Sequence, residues 1–255
     1  MATRFNHATL QVFGLGAVMY DGACCEKMLK TAALKKLAQD VPQAIDIQNI
    51  YKLLEKATVL KLKNKQTLIL AGDVADSLFF VLDGTLGVVV IDENGQEMIV
   101  STIHPGEFVG ELGVFSATLS ERSAWIIARS EAKVARIGYA AFIELAKTYP
   151  DLVFLVAGQI VQRLKMTTEK LGAMIFDEVS VRIIKCLIAQ SALPDAFLHP
   201  RGKEIKLTRQ DLGLMVGCSR EVAGRVLKDL VEKQLISVSG KTLIVFDELL
   251  SGEFE

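Results

Sequence analysis

The chain has 255 residues, 51% of them hydrophobic, with a mean hydropathy of +0.34 and only 5 prolines. That is enough for one large domain or two modest ones with packed cores, and it excludes a disordered chain or a Pro-rich linker. The formal net charge of −1 taken alone argues against nucleic acid, but from Arg201 to Val245 nine Lys and Arg stand against five Asp and Glu, a locally basic module on a near-neutral chain.

The first 46 residues are assigned no role. Arg4 precedes a mild apolar run from Leu10 to Tyr20, which resembles a signal peptide followed by a lipid-modified cysteine. Gln11, Gly14 and Gly16 interrupt the run and Asp21 sits where an apolar residue is wanted, so secretion is disfavoured. No other stretch approaches the roughly 20 apolar residues of a membrane span. Cys24, Cys25, Cys186 and Cys218 show no metal-finger spacing and no Cys-x-x-Cys, which reads as free thiols in a reducing cytoplasm. Two adjacent cysteines are too few for an iron–sulfur cluster.

Met28, Leu29, Ala32, Ala33, Leu34 and Leu37 recur at helical spacing over residues 26–46, and Ile47, Ile50, Leu53 and Leu54 mark a short amphipathic helix over 47–57. From Thr58 the period shortens to that of β-structure. Val59–Lys63, Thr67–Leu70, Leu78–Leu82, Leu86–Val90, Met98–Ile103, Trp125–Ala128 and Ala132–Ile137 are short β-type runs, punctuated by Gly72-Asp73, Asp83-Gly84 and Asn94-Gly95. Many short strands with regular turns imply an antiparallel roll or sandwich.

Pro150-Asp151 opens a helix to about Phe176, since proline in the first turn and an early carboxylate suit a helix start. Leu152, Leu155, Val156, Ile160, Leu164, Leu171 and Met174 run along one broad side. Roughly 25 residues span about 38 Å, longer than a small roll needs, so the apolar side is expected to pack against a copy of itself. A long core helix within one subunit is the other reading. Helix-like segments follow at 177–191, 208–216 and 219–233. Two β runs, Ile236–Val238 and Thr242–Phe246, are joined by Ser239-Gly240-Lys241, and helices followed by a hairpin describe a winged helix.

Thr208 with Asp211 three residues on is a capping pattern, Gly217 can end the first helix in the left-handed conformation, and Ser219 caps the second. Leu212, Met215 and Val216 supply the inner face of the first helix; Val222, Val226, Leu227 and Leu230 that of the second. Arg220, Glu221, Gly224 and Arg225 are left facing out, in the turns of a recognition helix that meet base edges. Arginine suits guanine O6 and N7, and a glutamate accepts from cytosine N4. Gly224 permits close approach to the groove. Thr208, Arg209, Gln210, Ser219, Lys228, Ser239 and Lys241 complete the candidate DNA contacts. An ordinary amphipathic helix pair with solvated charges fits the same pattern.

A second element lies between β runs, at Phe108-Val109-Gly110-Glu111-Leu112-Gly113 and Glu121-Arg122-Ser123-Ala124-Trp125. Gly110 allows the backbone to approach a ligand. An arginine followed by a hydroxyl residue suits a phosphate, and a carboxylate nearby accepts from a sugar hydroxyl. Phosphate plus sugar means a nucleotide. A turn glycine with a surface ion pair is the alternative.

Gly-Glu-Leu-Gly (110–113), Glu-Arg-Ser-Ala-Trp (121–125), Thr-Thr-Glu-Lys (167–170), His199-Pro200 with Gly202, Thr-Arg-Gln (208–210), Val-Gly-Cys-Ser-Arg-Glu (216–221) and Gly-Lys-Thr (240–242) together resemble the Crp/Fnr family of bacterial transcription regulators, nearly continuously from Ile50 to Val245. The resemblance implies an α+β chain: a cyclic nucleotide-binding β-roll of the double-stranded jelly-roll type (47–148), a dimerisation helix (149–176) and a winged helix-turn-helix domain (177–247), flanked by an extension (1–46) and a tail (248–255). It implies no enzyme activity and no cofactor, but cAMP as allosteric effector. Arg122 and Ser123 would hold the cyclic phosphate, Glu111 with Gly110 and Leu112 the ribose, and Arg163 and Thr167 would line the pocket. Thr168 of the other subunit would reach the adenine, where the family prototype carries serine. Ser123-Ala124 follows the cAMP pattern. Arg220, Glu221 and Arg225 would read a TGTGA-like half-site, two copies reading a palindrome one DNA turn (~34 Å) apart.

Ala196, Phe197, Leu198, His199, Pro200 and Gly202 match in part the family's polymerase-contacting loop. The basic residues of a second polymerase contact are replaced by Thr58, Leu60 and Ala141. One residue is inserted between Phe115 and Glu121, and about 40 residues precede the family's usual start. The expected protein is a cytoplasmic, homodimeric activator whose partners are double-stranded DNA, RNA polymerase and cAMP, with no membrane and no metal. A relative sensing cyclic di-GMP or redox state is the nearest alternative. A fused enzyme is disfavoured, because His7, His104 and His199 are scattered and no catalytic constellation is readable.

Overall fold

The computed structural model describes residues 17–18, 47–116, 121–193 and 195–252. The helix expected over 26–46, the Cys24-Cys25 pair and residues 117–120, within the stretch expected to hold the inserted residue, lie outside these residues. The described chain falls into two compact units: one runs to Val90 and from Val100 to Lys165, and the other comprises Ile91–Ile99 and the chain from Met166.

The first unit is an antiparallel β-roll. Strands β1 (Ala17–Val18), β2 (Thr58–Leu62), β3 (Thr67–Ile69), β4 (Ser77–Asp83), β5 (Leu86–Ile91), β6 (Glu97–Ile103), β7 (Phe108–Val109), β8 (Trp125–Ala128) and β9 (Ala132–Gly138) form two sheets, in the orders β1-β2-β9-β4-β7 and β3-β8-β5-β6. The uninterrupted apolar run on β4 has a simple cause, since both of its faces are buried. Phe79 and Val81 point into a core shared with Ile69, Leu86, Ile103, Ile126 and Ala128 of the second sheet. Leu78, Phe80 and Leu82 point the other way, into a core closed by helices α1 (Ile47–Leu54), α3 (Tyr139–Thr148) and the start of α4 (Asp151–Phe176). The period-2 alternation of a strand thus serves two cores at once. A short helix, α2 (Leu112–Phe115), follows β7.

Helix α4 has 26 residues, about 39 Å at the α-helical rise. The broad apolar side read from its sequence divides into two faces. Leu152, Leu155 and Val156 are buried in the roll's own core. Phe154, Val161, Leu164, Leu171 and Ile175, spaced seven, three, seven and four residues apart, are each more than half exposed, the a/d rhythm of a coiled-coil seam. Of the residues first expected on one side, only Leu164 and Leu171 belong to this second stripe.

The second unit holds α5 (Val179–Ser191), β10 (Phe197–His199), β11 (Gly202–Lys206), α6 (Arg209–Val216), α7 (Arg220–Glu232), β12 (Ile236–Ser239), β13 (Thr242–Phe246) and α8 (Asp247–Ser251), with sheet order β10-β11-β13-β12. The wing is therefore larger than the hairpin expected. The stretch read as a loop from Ala196 is itself a hairpin, pairing Phe197 with Glu204, Leu198 with Lys203 and His199 with Gly202. Its signal was the alternation Lys203-Glu204-Ile205-Lys206-Leu207, in which Ile205 is buried. The residues taken as a tail begin inside α8. Leu249 is fully buried in the core formed by Ile183, Leu187, Leu212, Ala223 and Leu227.

Leu249→Ala removes a fully buried side chain from that core and is expected to cost about 2–4 kcal/mol. Urea unfolding checks this, and an unshifted midpoint would show that α8 is dispensable to the core.

Candidate functional site

The loop after β7 is built around Gly110, whose φ of +79° lies in the left-handed region. A Cβ there would meet Arg122 Nη1 at 2.8 Å and the Ser77 carbonyl at 3.2 Å, so glycine is required both by conformation and by space. Glu111 follows and is buried. Its Oε1 accepts from Arg163 Nη1 at 2.5 Å, and Arg163 Nη2 donates to the Phe108 carbonyl at 2.7 Å. With side-chain exposures of 20% and 4%, this is a buried ion pair. Such a carboxylate needs its partner, because an isolated buried charge is far more costly than a paired one.

Arg122 approaches the same loop from the other side. Nη1 donates to the Gly110 carbonyl and to the Tyr139 hydroxyl, both at 3.1 Å, and Nη2 donates to the Ser77 carbonyl at 2.7 Å and to Ser77 Oγ at 3.4 Å. Asp76 lies 3.5 Å from Nη2 and is shared with Arg136 at 2.7 Å. The Tyr139 hydroxyl donates to the Gly110 carbonyl at 2.5 Å, closing a triangle of Tyr139, Gly110 and Arg122. Burial raises the Tyr139 pKa above 10.0 against the opposing pull of Arg122, so the phenol keeps the proton that it donates.

The structure thus brings together Gly110, Glu111, Arg122 and Arg163 of the expected set. Ser123 and Leu112 are exposed nearby in the chain. Thr167 and Thr168 lie on the part of α4 that belongs to the second unit. Sequence reasoning assumed a Glu111 open to a sugar and an Arg122 open to a phosphate; each is engaged by protein groups, because a charge held inside a roll needs partners there. It missed Ser77, Asp76, Arg136 and Tyr139. They come from the start of β4 and the residue before it, from β9 and from the start of α3, and no local motif connects them with residues 110–123.

In the second unit the local rules read from the sequence hold. Thr208 Oγ1 accepts from the Asp211 N–H at 3.0 Å and donates to Asp211 Oδ2 at 2.6 Å. Gly217 ends α6 at φ +72°, and Ser219 Oγ accepts from the Val222 N–H at 3.3 Å. The turn depends on a further glycine that the sequence reading passed over: Gly213 is buried, and a Cβ on it would meet the Cys218 carbonyl at 2.6 Å. Ala223 is also fully buried, where Val222 and Val226 were expected to carry the inner face; these two are only partly buried.

Arg209, Gln210, Ser219, Arg220, Glu221, Arg225, Lys228 and Lys241 are exposed and Thr208 is half-buried. Lys228 pairs with Glu232 at 3.5 Å. The Arg209 side chain lies against Gly224, 3.5 Å from where a Cβ would be, so this glycine makes room for an arginine of α6. The Glu221 pKa is lowered, first by its own backbone N–H and then by the Ser219 hydroxyl, which keeps the carboxylate an acceptor. Phe197 and Leu198 stand exposed on the β10–β11 hairpin with Pro200 at its turn, while Gly202 is buried and Ala196 and His199 are half-buried.

A β-roll that holds an arginine and a buried carboxylate around a glycine turn, and a capped helix-turn-helix with exposed arginines, are the parts of a transcription regulator. Residues 59–149 match the cyclic nucleotide-binding domain family and residues 205–236 the crp family of bacterial regulatory proteins. The chain is 42% identical over 202 residues to the cAMP-activated global transcriptional regulator Vfr of Pseudomonas aeruginosa, covering 78% of this chain and 94% of the relative. It is 43% identical over 186 residues to the cAMP-activated global transcriptional regulator CRP of Salmonella typhimurium, covering 73% and 88%. Among solved structures, the c-di-GMP responsive global regulator CLP of Xanthomonas campestris is 30% identical with a TM-score of 0.73, covering 79% of this chain and 99% of that one. A CRP-family regulator of Thermus thermophilus, 19% identical with a TM-score of 0.66, shares the fold over 75% of this chain and 93% of that one. The chain belongs to the crp family of bacterial regulatory proteins, a family of transcription regulators and not of enzymes. No helix among the described residues is long and apolar enough to cross a membrane.

Because the folded-state pKa of Tyr139 is raised, its stabilising contribution is complete below about pH 10 and is lost as pH climbs through the raised value. Tyr139→Phe is expected to flatten the alkaline fall in melting temperature above pH 10. An unchanged slope would show that the phenol titrates as in the unfolded chain.

Proposed function

We propose that this regulator is a cytoplasmic homodimer that takes cAMP as its effector, binds palindromic TGTGA-like operators and activates transcription by contacting RNA polymerase. The observation that carries the effector reading is the convergence of Arg122, followed by Ser123, and of Glu111, pinned by Arg163, on the Gly110 turn. A guanidinium and a hydroxyl hold a cyclic phosphate. A carboxylate would hold a ribose hydroxyl with Gly110 and Leu112, Thr167 would line the pocket, and Thr168 of the second subunit would reach the adenine. The two relatives at 42% and 43% identity named as cAMP-activated support the same choice.

The exposed stripe on α4 supports the dimer, since an apolar seam in heptad rhythm is covered by a second copy of itself. Arg220, Glu221 and Arg225 would read base edges, while Thr208, Arg209, Gln210, Ser219, Lys228 and Lys241 would contact the backbone. Effector binding would shift a pre-existing equilibrium toward the arrangement in which both recognition helices fit one operator. The polymerase contact would be made by Ala196 to Pro200 and Gly202, and the exposed Phe197 and Leu198 give it an apolar tip. Cyclic di-GMP is the second reading, favoured by the 30% identical structure of a regulator responsive to it.

Calorimetry with cAMP, cGMP and cyclic di-GMP separates the effectors, and anisotropy with a labelled TGTGA palindrome at fixed salt reads the coupling. Operator affinity is expected to rise with cAMP; equal affinity with and without it would sink the reading. Arg225→Ala is expected to lose about 1–3 kcal/mol of discrimination between operator and scrambled DNA. An equal loss on both DNAs would make Arg225 a phosphate contact. Leu164→Asp places a charge in the apolar stripe and is expected to give a monomer in sedimentation; a dimer that persists would place the interface elsewhere.

A further inference from the structure

Helix α4 grips the strand that leads into the ligand loop by its backbone as well as by the Arg163 ion pair. Strand β7 lies at the edge of its sheet. On its inner side the Gly106 N–H donates to the Val81 carbonyl and the Glu107 carbonyl accepts from the Val81 N–H. The polar groups of Phe108 point outward, and both are taken by α4. The Phe108 N–H donates to Gln159 Oε1 at 2.8 Å, and its carbonyl accepts from Arg163 Nη2 at 2.7 Å. Gln159 Nε2 donates in turn to the Gly106 carbonyl at 2.9 Å.

The carboxamide therefore bonds this edge as a neighbouring strand would, with one donor and one acceptor on a single planar group. Gln159 and Arg163 are one helical turn apart and share a face. Immediately before them Leu155 and Val156 are locked in the roll's core. Gly110 and Glu111 follow Phe108 by two and three residues.

We infer that Gln159 is a positioning residue for the effector loop. It holds β7 in register with α4, so that a displacement of residues 110–112 moves the helix, and a displacement of the helix moves the loop. The inference rests on reading residues 110–112 as the effector loop. Charged and aliphatic side chains do not serve as well: a carboxylate lacks the donor for Gly106, an ammonium lacks the acceptor for Phe108, and an aliphatic chain lacks both.

The test uses full-length wild type, Gln159→Met and Gln159→Glu. The methionine variant loses both bonds, and the glutamate variant keeps an acceptor for Phe108 but turns a carboxylate oxygen onto the Gly106 carbonyl. Peptide-resolved hydrogen exchange across 104–116 is measured without ligand, then cAMP affinity by calorimetry, and then the ratio of operator affinities with and without cAMP. Exchange in 106–113 is expected to quicken about tenfold, and cAMP binding and the coupling ratio to fall about five- to tenfold, with melting shifted by only a few degrees. Unchanged exchange overturns the inference. So does faster exchange with intact affinity and coupling, which would make Gln159 a purely structural hydrogen bond. If wild type binds no cyclic nucleotide, the effector reading falls, and the exchange data by themselves decide whether Gln159 orders the loop.

Discussion

A carboxylate buried on a loop must be neutralised, and here the neutralising charge comes from a helix that begins 40 residues later, with Asp151 following Glu111. The Arg163–Glu111 pair is the constraint around which the first unit is arranged. Deleting either partner would strand an ion in the interior at a cost of about 3–5 kcal/mol. The loop and the helix are therefore tied wherever the chain is folded. Further contacts of α4 with the roll, among them Leu152, Leu155 and Val156 in the core, Asn49 on Asp151 and Gln159 on Phe108 and Gly106, set the helix at the distance from which the arginine can reach.

The same helix serves two purposes through different residues. Its roll-facing side is anchored by apolar burial, which is non-directional, and by Gln159 and Arg163, which are directional. Its outward stripe is apolar and more than half exposed. On the proposed reading, a helix gripped firmly on one side and apolar on the other would pass a change at the loop to the copy that covers the stripe, because packed interiors transmit strain. The second unit depends instead on close backbone approach. Gly213 against Cys218, the left-handed Gly217 and the two hydroxyl caps compress two helices into a turn with no spare residues.

What was legible in the sequence follows from the range of each interaction. Thr208, Asp211, Gly217 and Ser219 act within four residues, so their pattern in the chain is their pattern in space. The short β-type runs and the turn dipeptides between them made the antiparallel roll legible, since strand length and turn chemistry are both local. Arg122-Ser123 and Gly110-Glu111 were readable as a pair of motifs. Tyr139, Ser77, Asp76 and Gln159 were not, because they meet the site only through the register of β4, β9 and β7 and the phase of α4. The division of α4 into two faces was hidden for a related reason: Leu155 and Leu164, nine residues and so half a turn apart on the helix, are both leucine, and residue type alone does not say which side the roll takes. Helix α8 escaped because five residues give no period to read.

The four acceptors around Arg122 have an effect on what the roll ignores. A bare guanidinium in a cleft would attract chloride, sulfate and free phosphate at cellular concentrations and answer to ionic strength instead of to a signal. Here both Nη atoms are already turned onto the Gly110 and Ser77 carbonyls and the Tyr139 and Ser77 hydroxyls, with Asp76 balancing the charge. A simple anion has little to gain by displacing them. On the effector reading proposed above, only a molecule that brings further contacts along with its phosphate would do so, which would make the loop selective for whole ligands over common salts.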